Sequence, residues 1–332
     1  MTVMKRAQPK RRDFFLQAAG MATTALFPMS SLAQEIYPSR TVRLVVPSPA
    51  GQGSDLGARA LARQLGEGTG QAFVVDNQPG GNQIIGARAV IRAKPDGYSL
   101  FLGTQSAMAT NPVFLQEPGF DPAVDFSPVC LLMKSSWVVS VSAKSAFRSF
   151  DDVVAAARAK PSLMTVGTGG SSYQLGAYLL AQAAGLELTV VPYKGAPQVL
   201  QDVVGEQVTL AITEASSAAA MAKSGLLRPL LVLSETRSIQ LPDVPTTRDV
   251  KLDMPGFFAW VGLFAPGSTP LAVRDRIGGL VKVALQSDEF VRFLETVGFE
   301  RAFMGPDALA AFQVQEVAKY RRAMAIGKIA PQ

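Results

Sequence analysis

From residue 41 onward the chain alternates between short β-branched runs and stretches with helical spacing of apolar side chains. Residues 41–47 form such a run and end in the turn at residues 49–54. Ala58, Leu61, Ala62 and Leu65 then share one face while Arg59, Arg63 and Glu67 fall off it. This pattern predicts a strand followed by an amphipathic helix, with Ser54 or Asp55 as its cap. The cadence repeats as a strand over 73–75, a turn at Gly80-Gly81, a helix over 85–92 and a strand over 98–103. A second series starts near Val138: helix 150–159, strand 164–167, helix 172–184, strand 188–191, a helix near Val199, and strands 208–212 and 230–233. A strand over 257–264 and helices over 273–285, 290–297 and 308–324 return to the first unit. Such alternation predicts an α/β fold with mostly parallel sheet, and no period of solenoid length is visible. The restart and return predict two lobes, with the chain crossing near residues 133–142 and 228–236.

Composition narrows the function class. A chain of 332 residues, 48% apolar and 17% charged, can bury one or two cores. Its net charge of +6 is concentrated at the start: Lys5, Arg6, Lys10, Arg11 and Arg12 stand against Asp13 in residues 1–33, leaving 27 basic and 25 acidic residues, a net of +2, for residues 34–332. No nucleic-acid footprint is expected from that balance. The first 33 residues read as an export signal with a basic start, an uncharged stretch from Phe14 and the small-x-small site Ser31-Leu32-Ala33 before Gln34. Arg11-Arg12-Asp13-Phe14-Phe15-Leu16 resembles a twin-arginine signal. The apolar core is short and broken by Pro28, which favours a cleaved signal over a membrane anchor. Cys130, in an apolar run, has no partner for an internal disulfide and reads as core.

Two glycine-rich turns carry the candidate chemistry. Gly51-Gln52-Gly53-Ser54-Asp55 lies between a predicted strand and helix, where exposed N–H groups and the positive helix end favour an anion. It is not a dinucleotide fingerprint, since Leu56 stands where the third glycine belongs, and no Gly-Lys-Ser/Thr follows as in a Walker loop. Gly167-Thr168-Gly169-Gly170-Ser171-Ser172 has the same context in the second series. Either turn alone also fits simple capping; together, one per lobe, they converge on one anionic group if the lobes face each other. Zero histidine and one cysteine remove nearly all zinc, Ser-His-Asp and Cys-His arrangements. Asp151-Asp152 and Asp288-Glu289 stand at predicted helix starts, as caps or helix-dipole partners do, and Lys144-Ser145 lacks the Ser-x-x-Lys spacing. Trp260 and Tyr193 fit an aromatic wall, and Trp260 equally a core position. No catalytic site, metal or cofactor is expected.

Ordered motifs along residues 34–332 resemble the Bug (TctC-like) family of extracytoplasmic solute-binding receptors that serve tripartite tricarboxylate transporters. They include Tyr37-Pro38-Ser39-Arg40, Val46-Pro47, Gly51-Gln52-Gly53-Ser54-Asp55, Asp76-Asn77-Gln78-Pro79-Gly80-Gly81, Lys94-Pro95-Asp96-Gly97-Tyr98, Gly103-Thr104 and Asn111-Pro112. Asp125-Phe126-Ser127-Pro128-Val129, Val191-Pro192-Tyr193-Lys194-Gly195, Leu241-Pro242-Asp243-Val244-Pro245-Thr246, Trp260 and Ala265-Pro266 continue the series. The resemblance implies a two-lobed type II periplasmic-binding-protein fold with two crossing strands as hinge. Residues 34–136 plus 235–332 would form one lobe and 137–234 the other.

By the same resemblance a ligand carboxylate meets Gly51, Gln52, Gly53, Ser54 and Asp55 and the loop Thr104-Gln105-Ser106. Gly169, Gly170, Ser171, Ser172 and Tyr193 face them from the other lobe. An acidic residue in the first turn would orient the loop or hold water, since a bare carboxylate opposite it is unfavourable. This chain departs from the family pattern at Ser48, Gln52 and Gln174 and at Thr213, where the family usually has aspartate and beside which Glu214 lies; these positions bear on the ligand. The implied function is capture of an organic, aromatic or amino acid by a periplasmic monomer for delivery to transporter subunits. The alternative is an orphan receptor that presents its closed form to a membrane sensor. N-terminal sequencing of exported protein is expected to begin at Gln34; an intact Met1 in that material contradicts the export signal.

Overall fold

The computed structural model describes Thr2 and residues 37–160, 164–193 and 195–331, so the export segment after Thr2, the cleavage site before Gln34 and Lys194 lie outside the described residues. The first strand, β1 (Val42–Val46), buries every side chain but Arg43, as expected of a strand covered on both faces. Helix α1 (Gly53–Thr69) crosses over to β2 (Phe73–Asn77), and α2 (Ile84–Ile91) to β3 (Ser99–Thr104), so that β2 and β3 flank β1 in parallel. A π-helical turn (Ser106–Thr110) and the short α3 (Asn111–Phe114) lead into β4 (Phe126–Ser142), a strand of 17 residues.

The second series runs α4 (Phe150–Ala159), β5 (Thr165–Thr168), α5 (Ser171–Ala184), β6 (Thr189–Pro192), α6 (Ala196–Val204), β7 (Leu210–Glu214), α7 (Ala215–Lys223) and β8 (Leu227–Val232). Here β5 lies parallel to both β6 and β7. A capping box sets the start of α4: Ser149 accepts the Asp152 N–H while the Asp152 carboxylate accepts the Ser149 N–H. The chain then returns through β9 (Phe258–Pro266), α8 (Leu271–Ala284), α9 (Asp288–Thr296), β10 (Glu300–Met304) and α10 (Pro306–Gly327).

Strand β4 is common to both lobes. Its residues 126–136 pair with β9 and residues 131–134 with β10, whereas residues 137–142 pair with β7 and β8. The ten strands therefore form one hydrogen-bonded path, β2-β1-β3-β9-β4-β7-β5-β6, with β8 and β10 also on β4. The expected mostly parallel sheet is corrected to a mixed one, because β3–β9 and every pairing of β4 are antiparallel. Strand β4 runs from one lobe into the other, and β7, β8, β9 and β10 flank it as chain running the opposite way. Between β8 and β9, Leu233 N–H bonds to Trp137 O (2.8 Å) and Phe257 N–H to Leu233 O (2.6 Å), so residues 234–256 form an excursion.

Periodicity missed β10, whose Glu300 and Arg301 interrupt the apolar pattern, and α7, whose alanines and serines carry no period. It also missed the unity of β4, where Pro128 at a register shift and the polar Lys134-Ser135-Ser136 break the run. The cap of α1 is corrected as well. Gln52, extended at φ −75° and ψ 158°, holds the N-cap position without a side-chain bond, and Ser54 and Asp55 lie inside the first turn.

Helix α10 bridges the lobes, with Gln313 Nε2 on Met108 O (3.2 Å) and Arg322 Nη2 on Gln182 Oε1 of α5 (3.2 Å). At its centre Glu316 accepts the Trp260 indole N–H (2.9 Å) and pairs with buried Lys319, which also donates to Gly256 O (2.9 Å). The Lys319 ammonium lies 4.7 Å from the Phe257 ring centroid. Burial lowers its pKa, and Glu316 opposes that fall. Removing one partner of a buried pair strands the other charge, at a cost of roughly 3–5 kcal/mol. Glu316→Gln is therefore expected to lose stability of that order in urea unfolding; a loss below about 1 kcal/mol contradicts the role of this pair.

Candidate functional site

Four strand ends open on one cavity. The turns after β1, β3, β5 and β7 enclose about 400 Å³ above a floor formed by Trp137 of β4 and Ala259, Trp260 and Val261 of β9. Sites at the carboxyl ends of strands are general in open α/β sheets, because helices begin there with unpaired N–H groups.

The first wall is the β1–α1 turn. Hydrogen bonding within α1 starts with Leu56 N–H on Gln52 O (2.9 Å), so the N–H groups of Gly53, Ser54 and Asp55 precede the helical ladder. Ser48 and Ser54 share a hydroxyl–hydroxyl bond of 2.7 Å. Asp55 is buried beneath the turn and holds its shape: Oδ2 accepts Gly51 N–H (2.8 Å) and Arg59 Nε (3.1 Å), and Oδ1 accepts Asn77 Nδ2 (2.9 Å). Gly51 is left-handed at φ 86°, a conformation that favours glycine. Burial acts to raise the Asp55 pKa, but the bonds from Arg59, Gly51 and Asn77 outweigh it and the carboxyl lies below its ordinary value.

The opposing wall is the β5–α5 turn. Its first helical bond is Gln174 N–H on Gly170 O (3.1 Å), which leaves the N–H groups of Ser171, Ser172 and Tyr173 ahead of the ladder. Gly169 is required by close backbone approach, since a Cβ there would lie 2.6 Å from Ala196 N. The Ser172 hydroxyl bonds across the lobes, accepting Gln105 Nε2 (3.1 Å) and sharing a 3.1 Å bond with Thr110 Oγ1. Thr104 donates to Gln83 Oε1 (2.6 Å), and Gln83 is itself held left-handed at φ 74°.

The third wall is acidic and aromatic. Glu214, at the N-cap of α7, makes no capping bond and accepts one from Tyr173 OH (3.3 Å). Tyr173 stacks on Trp137 at 4.2 Å between centroids and 30° between planes. Burial raises the Glu214 pKa, against the bond from Tyr173. Among the described residues lining the cavity, Glu214 is the one carboxylate and no lysine or arginine joins it.

Of the residues singled out by sequence, Ser48, Gln52, Gly53, Ser54, Thr104, Gln105, Ser106, Gly169, Gly170, Ser171, Ser172 and Glu214 line this cavity. Gly51 and Asp55 lie behind it and shape the first turn. Gln174 faces away, with Nε2 3.5 Å from Tyr178 OH, and Tyr193 donates to Asp202 Oδ2 (2.7 Å), which keeps both off the wall. Sequence reasoning missed Gln83, Trp137, Tyr173, Val297 and Phe299 as lining residues. Gln83 follows the Asp76–Gly81 motif by two residues and Tyr173 follows Ser172, which are usable signals; Val297 and Phe299 offer none. Trp260 turns out to be both buried and part of the floor.

The profile of the family described as "Tripartite tricarboxylate transporter family receptor" (TctC) matches residues 57–328. The chain belongs to this family of solute-binding receptors. It is 32% identical over 310 residues to a UPF0065 protein encoded in the tcbD-tcbE intergenic region of Pseudomonas sp. strain P51, covering 92% of this chain and 91% of that one. A TctC solute-binding protein from Polaromonas, solved without ligand, superposes with a TM-score of 0.78 at 26% identity, over 87% of this chain and 99% of that one. Rpa4515 of R. palustris, solved with adipate, gives 0.74 at 31% identity over 89% and 100%.

The Asp55 cradle is testable by acid titration. Its depressed folded pKa means that its stabilisation is fully present above the unfolded value of 3.8 and is lost as pH falls through the lower folded value. Asp55→Asn is expected to cost about 1–3 kcal/mol near pH 7 in urea unfolding. The gap from wild type should close as both are acidified; a gap independent of pH contradicts an ionised Asp55 as the organiser of the turn.

Proposed function

We propose that the cavity captures a small carboxylated molecule in the periplasm and that the loaded protein delivers it to the membrane subunits of a tripartite tricarboxylate transporter. The observation that carries this reading is the meeting of the α1 and α5 N-termini from opposite lobes, each with N–H groups ahead of its helical ladder. Backbone donors and helix dipoles hold an anion without a lysine or arginine. The hydroxyls of Ser54, Ser106 and Ser171 and the amides of Gln52 and Gln83 add donors of the kind that fix a carboxylate's orientation. The adipate in Rpa4515, a relative of the same family, supports a carboxylic acid as the ligand class.

The protein works as an exported monomer whose mature chain begins at Gln34. Residues 34–136 with 235–332 form one lobe and 137–234 the other, and they close about β4 and the return between β8 and β9. Among the described residues no helix is long and apolar enough to cross a membrane. Recognition by the transporter then depends on the closed, loaded form.

Ser54 tests the placement of the carboxylate. A hydrogen bond to a charged group is worth roughly 1.5–3 kcal/mol, so Ser54→Ala is expected to weaken binding by about tenfold or more. The fold should persist, because among the described residues the hydroxyl's one partner is Ser48. Calorimetric titration of both proteins with the best acid from a thermal-shift panel reads this directly. Equal affinities with a folded variant would place the ligand elsewhere.

A further inference from the structure

We propose that Glu214 makes this cavity selective for zwitterions, molecules whose carboxylate meets the N-termini of α1 and α5 while a protonated nitrogen meets the Glu214 carboxylate. The inference rests on the cavity being a carboxylate site and adds a second pole to it.

Charge balance is the first argument. The α1 and α5 ends supply positive potential from backbone dipoles, and Glu214, beside the first turn of α5 through Tyr173, is the one carboxylate among the described residues that line the cavity. None of the ion pairs among the described residues includes Glu214, and its one hydrogen bond comes from the neutral Tyr173 hydroxyl. A carboxylate withdrawn from water without a cation is unfavourable, and a ligand ammonium would restore the missing partner. Desolvation, which dominates the rise in its pKa, reports the same deficit.

Position is the second argument. Ser, Thr, Asp and Asn at a helix N-cap turn their oxygen onto the first-turn N–H groups, a use for which the longer glutamate side chain is not favoured. Glu214 makes no such bond, and its carboxylate lines the cavity. Beside it lie the stacked rings of Trp137 and Tyr173, which also line the cavity and keep water from this wall. The same wall disfavours a second ligand carboxylate, which would meet like charge at short range in a partly dry site. A simple dicarboxylate thus fits this cavity less well than an acid of equal size that carries an amine.

The experiment uses mature protein, residues 34–332, and pairs of acids that differ only in an amino group: leucine and 4-methylpentanoate, phenylalanine and 3-phenylpropanoate, 4-aminobutyrate and butyrate. Calorimetric titration of wild type is expected to give at least tenfold tighter binding for the amino member of the best pair. In Glu214→Gln, which keeps an acceptor for Tyr173, that ratio should fall close to one through weaker binding of the amino member. Wild type that binds the desamino members as tightly, or a variant that keeps the ratio, overturns the inference. If the desamino members bind equally well and lose affinity on Ser54→Ala, the carboxylate site stands and the role of Glu214 falls alone. If neither member of any pair binds, both readings fall.

Discussion

The change of partners along β4 governs the arrangement of everything else. Between Ser136 and Trp137 the strand leaves β9 and β10 and takes up β7 and β8, so one continuous backbone is an interior strand in both lobes. The point of exchange lies under the cavity. Trp137 begins the second set of pairs and Ala259 and Trp260 of β9 pair with Ser135 and Lys134 of the first, and all three line the floor. Any opening of the lobes must bend or twist β4 near this point, which couples lobe motion to the shape of the site. Helix α10, bonded to Met108 in one lobe and Gln182 in the other, acts as a strut across the same divide.

Above that floor, the chemistry of the proposed binding site comes mainly from backbone. Two helices begin at the cavity from opposite sides, and their first-turn N–H groups have no partner in the helical ladder. An anion between them would satisfy donors from both lobes at once, so that under the proposed function ligand binding and lobe closure would draw on the same groups. Side chains refine this. Gln105, Thr110 and Ser172 hydrogen-bond across the lobes and hold the walls in register, and Asp55 fixes the first turn from behind through Gly51, Arg59 and Asn77. The absence of histidine from the chain is no handicap for such a site, which requires donors rather than proton transfer.

Local order was legible in the sequence wherever a single element carried its own signal. Helix α4 was legible over 150–159 with Asp151-Asp152 at its start, and α1 and β1 from their periods and the glycines between them, whereas the Ser149 cap was not singled out. The two glycine-rich turns were recognisable as strand-to-helix junctions, and both line the cavity. What depended on distant partners was not legible. Asp55 was expected either to meet the ligand or to orient the loop; its role of orienting the turn was legible, but its partners Gly51, Arg59 and Asn77 were not. Tyr193 and Gln174 were candidates by motif and position, but Asp202 and Tyr178 hold them elsewhere. Trp137 gives no sign of a cavity role from its apolar neighbours, because that role arises only where β4 changes partners.

The most direct test of the central claim is an amide chemical-shift titration of the mature, isotope-labelled protein with its tightest-binding acid. The account predicts that the N–H resonances of Gly53, Ser54, Ser171 and Ser172 move most, and together, since one carboxylate is held by both helix ends. Shifts confined to one of the two turns, or largest in the groove between residues 118–128 and α10, would contradict it.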